Sequence, residues 1–340
     1  MQKVSMIENI SKQVTASAPG KLMLSVGYAV VHGRPTIVTA VDQRLYATVM
    51  KNGVDVFHLN APDLGLSAYT KTIADLGTKE FPKPVRFIEI LYKNFLERHP
   101  QKEGIIVTTK SDFSSFYGFG SSSAVTVAFA KALTTLYNIK LTKAELFDLC
   151  YKAVLDVQGV GSGFDLAAAI WGGTLFFVSP AKVVRPVNIK ELPVVIAYSG
   201  AKADTPTLIR LVDNMLEENP EVINKIFDGI GEIADDFIDI FEADEKRQEN
   251  NWKKVGELFD RSQEFARDLK VSNNKIEKLI VAAKSAGAYG ATSSGAGGGD
   301  CVLAIVNENT RGDVERAMTK AGGKIINVSL SSPGVRIEES

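Results

Sequence analysis

Residues Ser115–Leu133 read SFYGFGSSSAVTVAFAKAL, and the fold turns on how that stretch is read. Ala124, Val125, Ala128, Phe129, Ala132, Leu133 and, just beyond, Leu136 recur at helical spacing, so a helix begins at or near Ser121–Ser123. A helix start carries backbone N–H groups without intrahelical partners and a partial positive charge. Gly118 and Gly120 in front of it permit close approach and unusual dihedrals. Two readings fit: a serine N-cap behind a glycine turn, or an anion site suited to phosphate. The stretch has neither the G-x-x-x-x-G-K-[ST] pattern nor a G-x-G-x-x-G after a first strand.

Two further glycine clusters shift the balance towards a ligand. One is VQGVGSGFDLAAAIWGG (157–173); the other is AYGATSSGAGGGDCVLAIV (288–306). Glycine at this density costs conformational entropy, which is offset where backbone must approach a ligand or another backbone. Asp165 either caps the apolar helix that follows it or orients a substrate hydroxyl and takes its proton. Lys21, in SAPGKLML (17–24), is either a solvated charge or a side chain positioned by the Ala-Pro-Gly bend.

Around these clusters the chain alternates strand and helix. Strands dominate from residue 15 to about 59. PVRFIEILYKNFLERH (84–99) follows as a helix with Phe87, Ile90, Leu91 and Phe95 on one face. Thr142 and Glu145 form a capping-box signature. From about Thr205 the pattern is helical for a long way, then it alternates again. A chain of 340 residues predicts two α+β halves packed together, 1–187 and 188–340.

Composition narrows the function classes. With 39 basic and 40 acidic side chains the net charge is −1, which predicts no nucleic-acid or anionic-membrane surface. Cys150 and Cys301 lie in apolar settings and belong to no CxxC pair, and His32, His58 and His99 are scattered. Zinc ligation is therefore not indicated, and both cysteines read as buried small hydrophobes. MQKVSMIENISKQVT has no long apolar segment, and a cytoplasmic location fits.

SAPGKLML, YGFGSSSAVTVA and YGATSSGAGGGDC, in this order, resemble the three motifs of the GHMP small-molecule kinases. That resemblance implies an α+β N-terminal domain with a left-handed βαβ unit, a ferredoxin-like C-terminal domain and a site between them. It also implies ATP and Mg2+. The phosphates would lie on Tyr117, Gly118, Gly120, Ser121, Ser122 and Ser123, with the Ser122 hydroxyl on the metal. Lys21 and Asp165 would be the catalytic pair. Tyr28, Ser162, Gly163, Lys202, Thr205, Ser294, Gly295 and Ala296 would face the acceptor.

DVQGVGSGFDLAAAIWGG and SSGAGGGDC look most like the phosphomevalonate kinases, while AVVHGRPTIVTAVD (29–42) is similar to the mevalonate kinases. Mevalonate kinases usually carry a glutamate where this chain has Val154, and Asp156 points to another helix face. Many relatives have an acid at the place of Gly27 and a lysine at that of Thr292. The expectation is therefore a phosphomevalonate kinase, with Lys202 and Arg210 serving the acceptor's phosphate or remaining solvated. The alternatives are a mevalonate kinase or a non-catalytic ligand-binding relative, as a monomer or homodimer.

Overall fold

The structure is a computed structural model. It describes all residues except 1–11, 79–81, 83–84, 190–191, 244–247 and 340, so most of the N-terminal stretch read above lies outside the described residues. The strands and helices of the first half are β1 (Gln13–Met23), β2 (Thr36–Lys51), β3 (Val56–Ala61), β4 (Leu66–Thr72), α1 (Arg86–Arg98), β5 (Ile105–Ser111), α2 (Ser121–Leu136), α3 (Lys143–Gln158), α4 (Phe164–Trp171), β6 (Thr174–Val178) and β7 (Val183–Val187). Then come β8 (Val194–Tyr198), α5 (Thr205–Glu218), α6 (Pro220–Ala243), α7 (Gln248–Asp268), α8 (Asn274–Ser285), β9 (Gly290–Ser293), β10 (Cys301–Ile305), α9 (Glu308–Lys320), β11 (Lys324–Ile325) and β12 (Arg336–Ile337).

The long strand β2 is the spine of the first sheet, whose order is β12-β1-β2-β5-β3-β4. β2 also pairs through Thr36–Thr39 with β6, which in turn pairs with β7. β3 and β5 run parallel and are joined through β4 and α1, the crossover the fold requires. α2 lies across β1 and β2 and packs on α1, α3 and α4, which explains why it is apolar almost all round. Its alanines let those neighbours approach. Its buried threonines bond back along the helix, Thr126 Oγ1 to the Ser122 carbonyl at 2.7 Å and Thr134 Oγ1 to that of Ala130 at 2.8 Å.

The second sheet, β11-β8-β10-β9, is antiparallel. Chain order β8, helices, β9, β10, α9, β11 with spatial order fourth-first-third-second is the ferredoxin-like arrangement. α8 and α9 cover one face. The other face shares a core with the first half: Ile196, Phe237, Phe259 and Leu303 are buried with Leu22, Leu24, Ile37 and Phe119. The two halves are therefore packed together. Among the described residues no helix is long and apolar enough to cross a membrane.

α1 buries Leu91 and Phe95 together with Ile88 and Tyr92, and packs Phe87 and Ile90 half-buried on the same core, as the sequence predicts. Glu89 is the charged residue on that face. Its carboxylate is wholly buried and accepts from Tyr69 Oη, Lys71 Nζ and the Gly77 N–H at 2.6–2.7 Å. The tail, placed by sequence in the second unit, returns to the first sheet as β12 on β1. The buried Arg44 holds it there, donating to Ser17 Oγ and to the carbonyls of Ser17, Pro333 and Gly334 at 2.6–2.9 Å.

Arg44→Met keeps the stem and removes these donors, leaving buried carbonyls unpartnered. Urea unfolding should show a loss of about 2–4 kcal/mol, with the 327–339 tail newly open to proteolysis. A stability change below about 0.5 kcal/mol would show that the tail is held by other contacts.

Candidate active site

The N-terminus of α2 is open. Gly120 stands at its N-cap in the left-handed region, with φ 70°, and no side chain caps the helix. The first helical bond runs from Ala124 N–H to the Gly120 carbonyl at 3.0 Å. The N–H groups of Ser121, Ser122 and Ser123 precede that first bond, and the three serines are half-buried. The expected serine N-cap is therefore absent, and the first-turn N–H groups of α2 have no side-chain cap.

Lys21 arrives from the opposite strand. The β1–β2 register slips between Pro19 and Lys21, and the Lys21 N–H donates to the Phe119 carbonyl at 3.0 Å. A Cβ on Gly20 would meet Phe119 and Phe113 at 3.1–3.2 Å, so the Pro-Gly step gives the close approach that aims the lysine. Lys21 Nζ lies 3.0 Å from Asp165 Oδ1, donates to the Gly118 carbonyl at 2.9 Å and sits 5.2 Å from the centroid of the Phe164 ring.

Asp165 occupies the second position of α4, behind Gly163 at φ 85°, and makes no capping bond. Its side chain is 30% exposed against 11% for Lys21, so the carboxylate still reaches the cleft. Gly120 closes the triangle: a Cβ there would stand 3.0 Å from Lys21 Cε and 3.1 Å from Asp165 Oδ1. Lys21, Asp165 and the mouth of α2 are therefore one site.

The other expected residues divide. Ser162 and Gly163 form the turn that presents Asp165; the Ser162 carbonyl accepts from Ser179 Oγ at 2.9 Å, and a side chain at Gly163 would strike Phe147. Tyr28, Ser294, Gly295 and Ala296 are a seam between the first and third motifs. Ser294 Oγ accepts from Met23 N–H and donates to its carbonyl; Gly27 N–H donates to Gly295 O at 2.9 Å; Tyr28 Oη donates to Ala296 O at 2.7 Å. Both hydroxyls bond backbone atoms, which ties the first and third motifs together. Burial pushes the Tyr28 hydroxyl pKa well up, which keeps it a donor.

Lys202 is exposed and bonds the loop before α2. Its ammonium donates to the Ser115 carbonyl at 2.6 Å, on the glycine-rich loop. Thr205 is exposed at the start of α5, and Arg210 bonds Thr207 Oγ1 on the same helix. Tyr117 packs on Phe119 and Tyr198, and its hydroxyl accepts from Lys324 Nζ at 2.8 Å. Asp156 is held by Lys152 and Asn94, away from the cleft. Burial raises the thiol pKa of both Cys150 and Cys301.

One site residue escaped the sequence reading. Asp300 is a non-glycine residue at φ 57°, and its carboxylate fills the space beside Gly118. The signal was the D that closes the GAGGGD run, where a further glycine would be the unstrained choice.

Models of the GHMP kinases N terminal domain and the GHMP kinases C terminal region match residues 85–173 and 243–324. The mevalonate kinase of Pyrococcus horikoshii is 32% identical over 334 residues, covering 96% of this chain and 98% of that protein. This chain is a GHMP kinase. The mevalonate kinase of Pyrococcus abyssi is 31% identical over 332 residues, covering 96% and 98% of the two chains. The crystal structure of the Methanococcus jannaschii mevalonate kinase superposes with a TM-score of 0.78 at 22% identity, covering 96% and 100%. Streptococcus pneumoniae phosphomevalonate kinase, in complex with phosphomevalonate and AMPPNP, gives 0.74 at 16% identity, covering 93% and 99%. The expected order of likeness is thereby corrected: both Pyrococcus relatives, matched over nearly their full length, carry the mevalonate kinase name.

In a GHMP kinase the nucleotide is ATP, and the open N–H groups and Gly120 cradle suit its phosphates. Among the described residues no three His, Cys, Asp or Glu side chains cluster as a metal cage. Magnesium does not need one, since it keeps waters and binds substrate phosphates with one or two protein oxygens. Ser122 Oγ and the Asp165 carboxylate are oxygens of that kind.

Gly120→Ala should crowd Lys21 and Asp165 by a few tenths of an ångström and lower kcat/KM for ATP by up to roughly 10²-fold, the cost of a misplacement of about 1 Å. Gly159→Ala is the control. Gly159 has φ 76° with open space around a Cβ, so it should lose roughly 1–2 kcal/mol of stability and keep its activity. Equal kinetics for the two variants would mean that the cradle is not catalytic.

Proposed function

We propose that this kinase is a mevalonate kinase, transferring the ATP γ-phosphoryl group to the 5-hydroxyl of mevalonate. The observation that carries the reading is the Lys21–Asp165 pair at the open mouth of α2, one carboxylate oxygen held by the lysine and the group still partly exposed. A hydroxyl acceptor needs a partner for its proton; an acceptor that is already a phosphate needs extra cations instead. The two cations expected for such a phosphate, Lys202 and Arg210, bond to Ser115 and Thr207. Full-length likeness to mevalonate kinases supports the same choice.

The chemistry follows from positioning and charge. The α2 N–H groups and serine hydroxyls hold the phosphate chain. Lys21 offsets negative charge on the transferring phosphoryl oxygens, and its bond to the Gly118 carbonyl fixes its ammonium. Asp165 orients the acceptor hydroxyl. As the new O–P bond forms and the bond from the γ-phosphorus to the ADP oxygen breaks, the hydroxyl proton passes to Asp165 and on to solvent. Magnesium, held through Ser122 Oγ and the phosphates, would supply further neutralisation of the β and γ oxygens.

ADP release measured with mevalonate and with 5-phosphomevalonate tests the assignment. Mevalonate should exceed its 5-phosphate by about tenfold or more in kcat/KM, the value of one mismatched charged contact. A reversed preference restores the phosphomevalonate reading. Asp165→Asn should lower kcat about 10²-fold or more, with a melting temperature that falls only modestly as Lys21 loses its charged partner. Turnover near that of the unaltered protein would remove Asp165 from the reaction.

A further inference from the structure

We propose that Asp300 is a positioning residue for ATP: it sets the height of the phosphate-binding loop by filling the space beside Gly118. The proposal rests on reading the mouth of α2 as the ATP site. Asp300 lies between three glycines and β10 in the left-handed backbone region, which a non-glycine residue adopts at a cost that surrounding structure must offset. Three hydrogen bonds fix it there. Its N–H donates to Ala201 O and its carbonyl accepts from Ser199 N–H, both at 2.8 Å, and Oδ1 accepts from Ala203 N–H at 3.1 Å. The other oxygen, Oδ2, stands 2.5 Å from where a Cβ on Gly118 would be. The carboxylate is thus a rigid stop, anchored in the second half and pressed on the loop of the first.

Neighbouring contacts act on the same loop from the same side. Lys202, in the turn that holds Asp300, reaches Ser115 O, and Cys301 Sγ lies 3.3 Å from Tyr117 O. Lys21 bonds the carbonyl of the same residue, Gly118. Gly118, two residues before the N-cap glycine of α2, is therefore held at its carbonyl by Lys21 and met at its Cα by Asp300. A shift of Gly118 tilts the N–H groups of Ser121–Ser123 away from the phosphates. The Asp165 backbone belongs to α4 and meets the loop through Lys21, so the acceptor side is expected to move less than the phosphate side.

Asp300→Gly removes the stop and relieves the backbone; Asp300→Asn keeps the shape. Calorimetric titration of each protein with Mg-ATP, without acceptor, reads the loop directly, and the melting temperature reads the fold. Asp300→Gly should weaken ATP binding about fivefold or more, the range of one lost contact. Its melting temperature and its KM for the acceptor should stay close to those of the unaltered protein. Asp300→Asn should recover most of the affinity. The proposal is overturned if Asp300→Gly binds ATP as tightly as the unaltered protein, if ATP affinity and acceptor KM worsen together, or if Asp300→Asn is as weak as Asp300→Gly. ATP binding is measured without mevalonate, so failure of the mevalonate assignment would appear in turnover and leave this comparison intact.

Discussion

The site depends on a lysine that is almost buried. Lysine pays a large desolvation cost when it leaves water, and is held inside only where partners meet its charge. Lys21 meets Asp165 Oδ1 and the Gly118 carbonyl, with the Phe164 ring beside it. Each partner comes from a different part of the chain, so the ammonium fixes three elements at once: the β1 bulge, the glycine-rich loop and the start of α4. The glycines follow from this. Gly120 has no room for a side chain because Lys21 and Asp165 occupy it, and Gly118 has none because Asp300 does.

The two halves meet along backbone. Ser294 and Tyr28 bond main-chain atoms across the first and third motifs, and Ser262 Oγ accepts from Val26 N–H in the same seam. Buried polar groups of this kind stabilise little when paired and cost much when left alone, so the seam specifies one alignment of the halves. The shared apolar core gives adhesion, and the Arg44 latch brings the tail back over the first sheet. Built this way, the halves bring Lys21 and Asp300 to the same residue of one loop, Gly118.

Much of this was legible in the residues. Helical spacing placed the start of α2, the Thr142–Glu145 capping box is present, and the Ala-Pro-Gly bend pointed to a positioned Lys21. Local signals of this sort survive folding because they report backbone geometry. What was not legible depended on partners distant in the chain. Ser294 and Tyr28 look like free donors until Met23 and Ala296 are beside them. Lys202 looks available until Ser115 is. Glu89 reads as solvent-exposed until Tyr69, Lys71 and Gly77 surround it. Asp300 was passed over because a carboxylate beside a phosphate loop makes sense only once Gly118 is in contact with it.

The central claim is that the exposed start of α2 and the fixed ammonium of Lys21 bind the phosphates of ATP. Amide chemical shifts recorded while a non-hydrolysable Mg-ATP analogue is added test this residue by residue. The largest changes are expected at Gly120 and Ser121–Ser123, with Lys21 following and the Ser294–Ala296 seam little moved. Large shifts elsewhere, with Gly120–Ser123 unmoved at saturation, would contradict it.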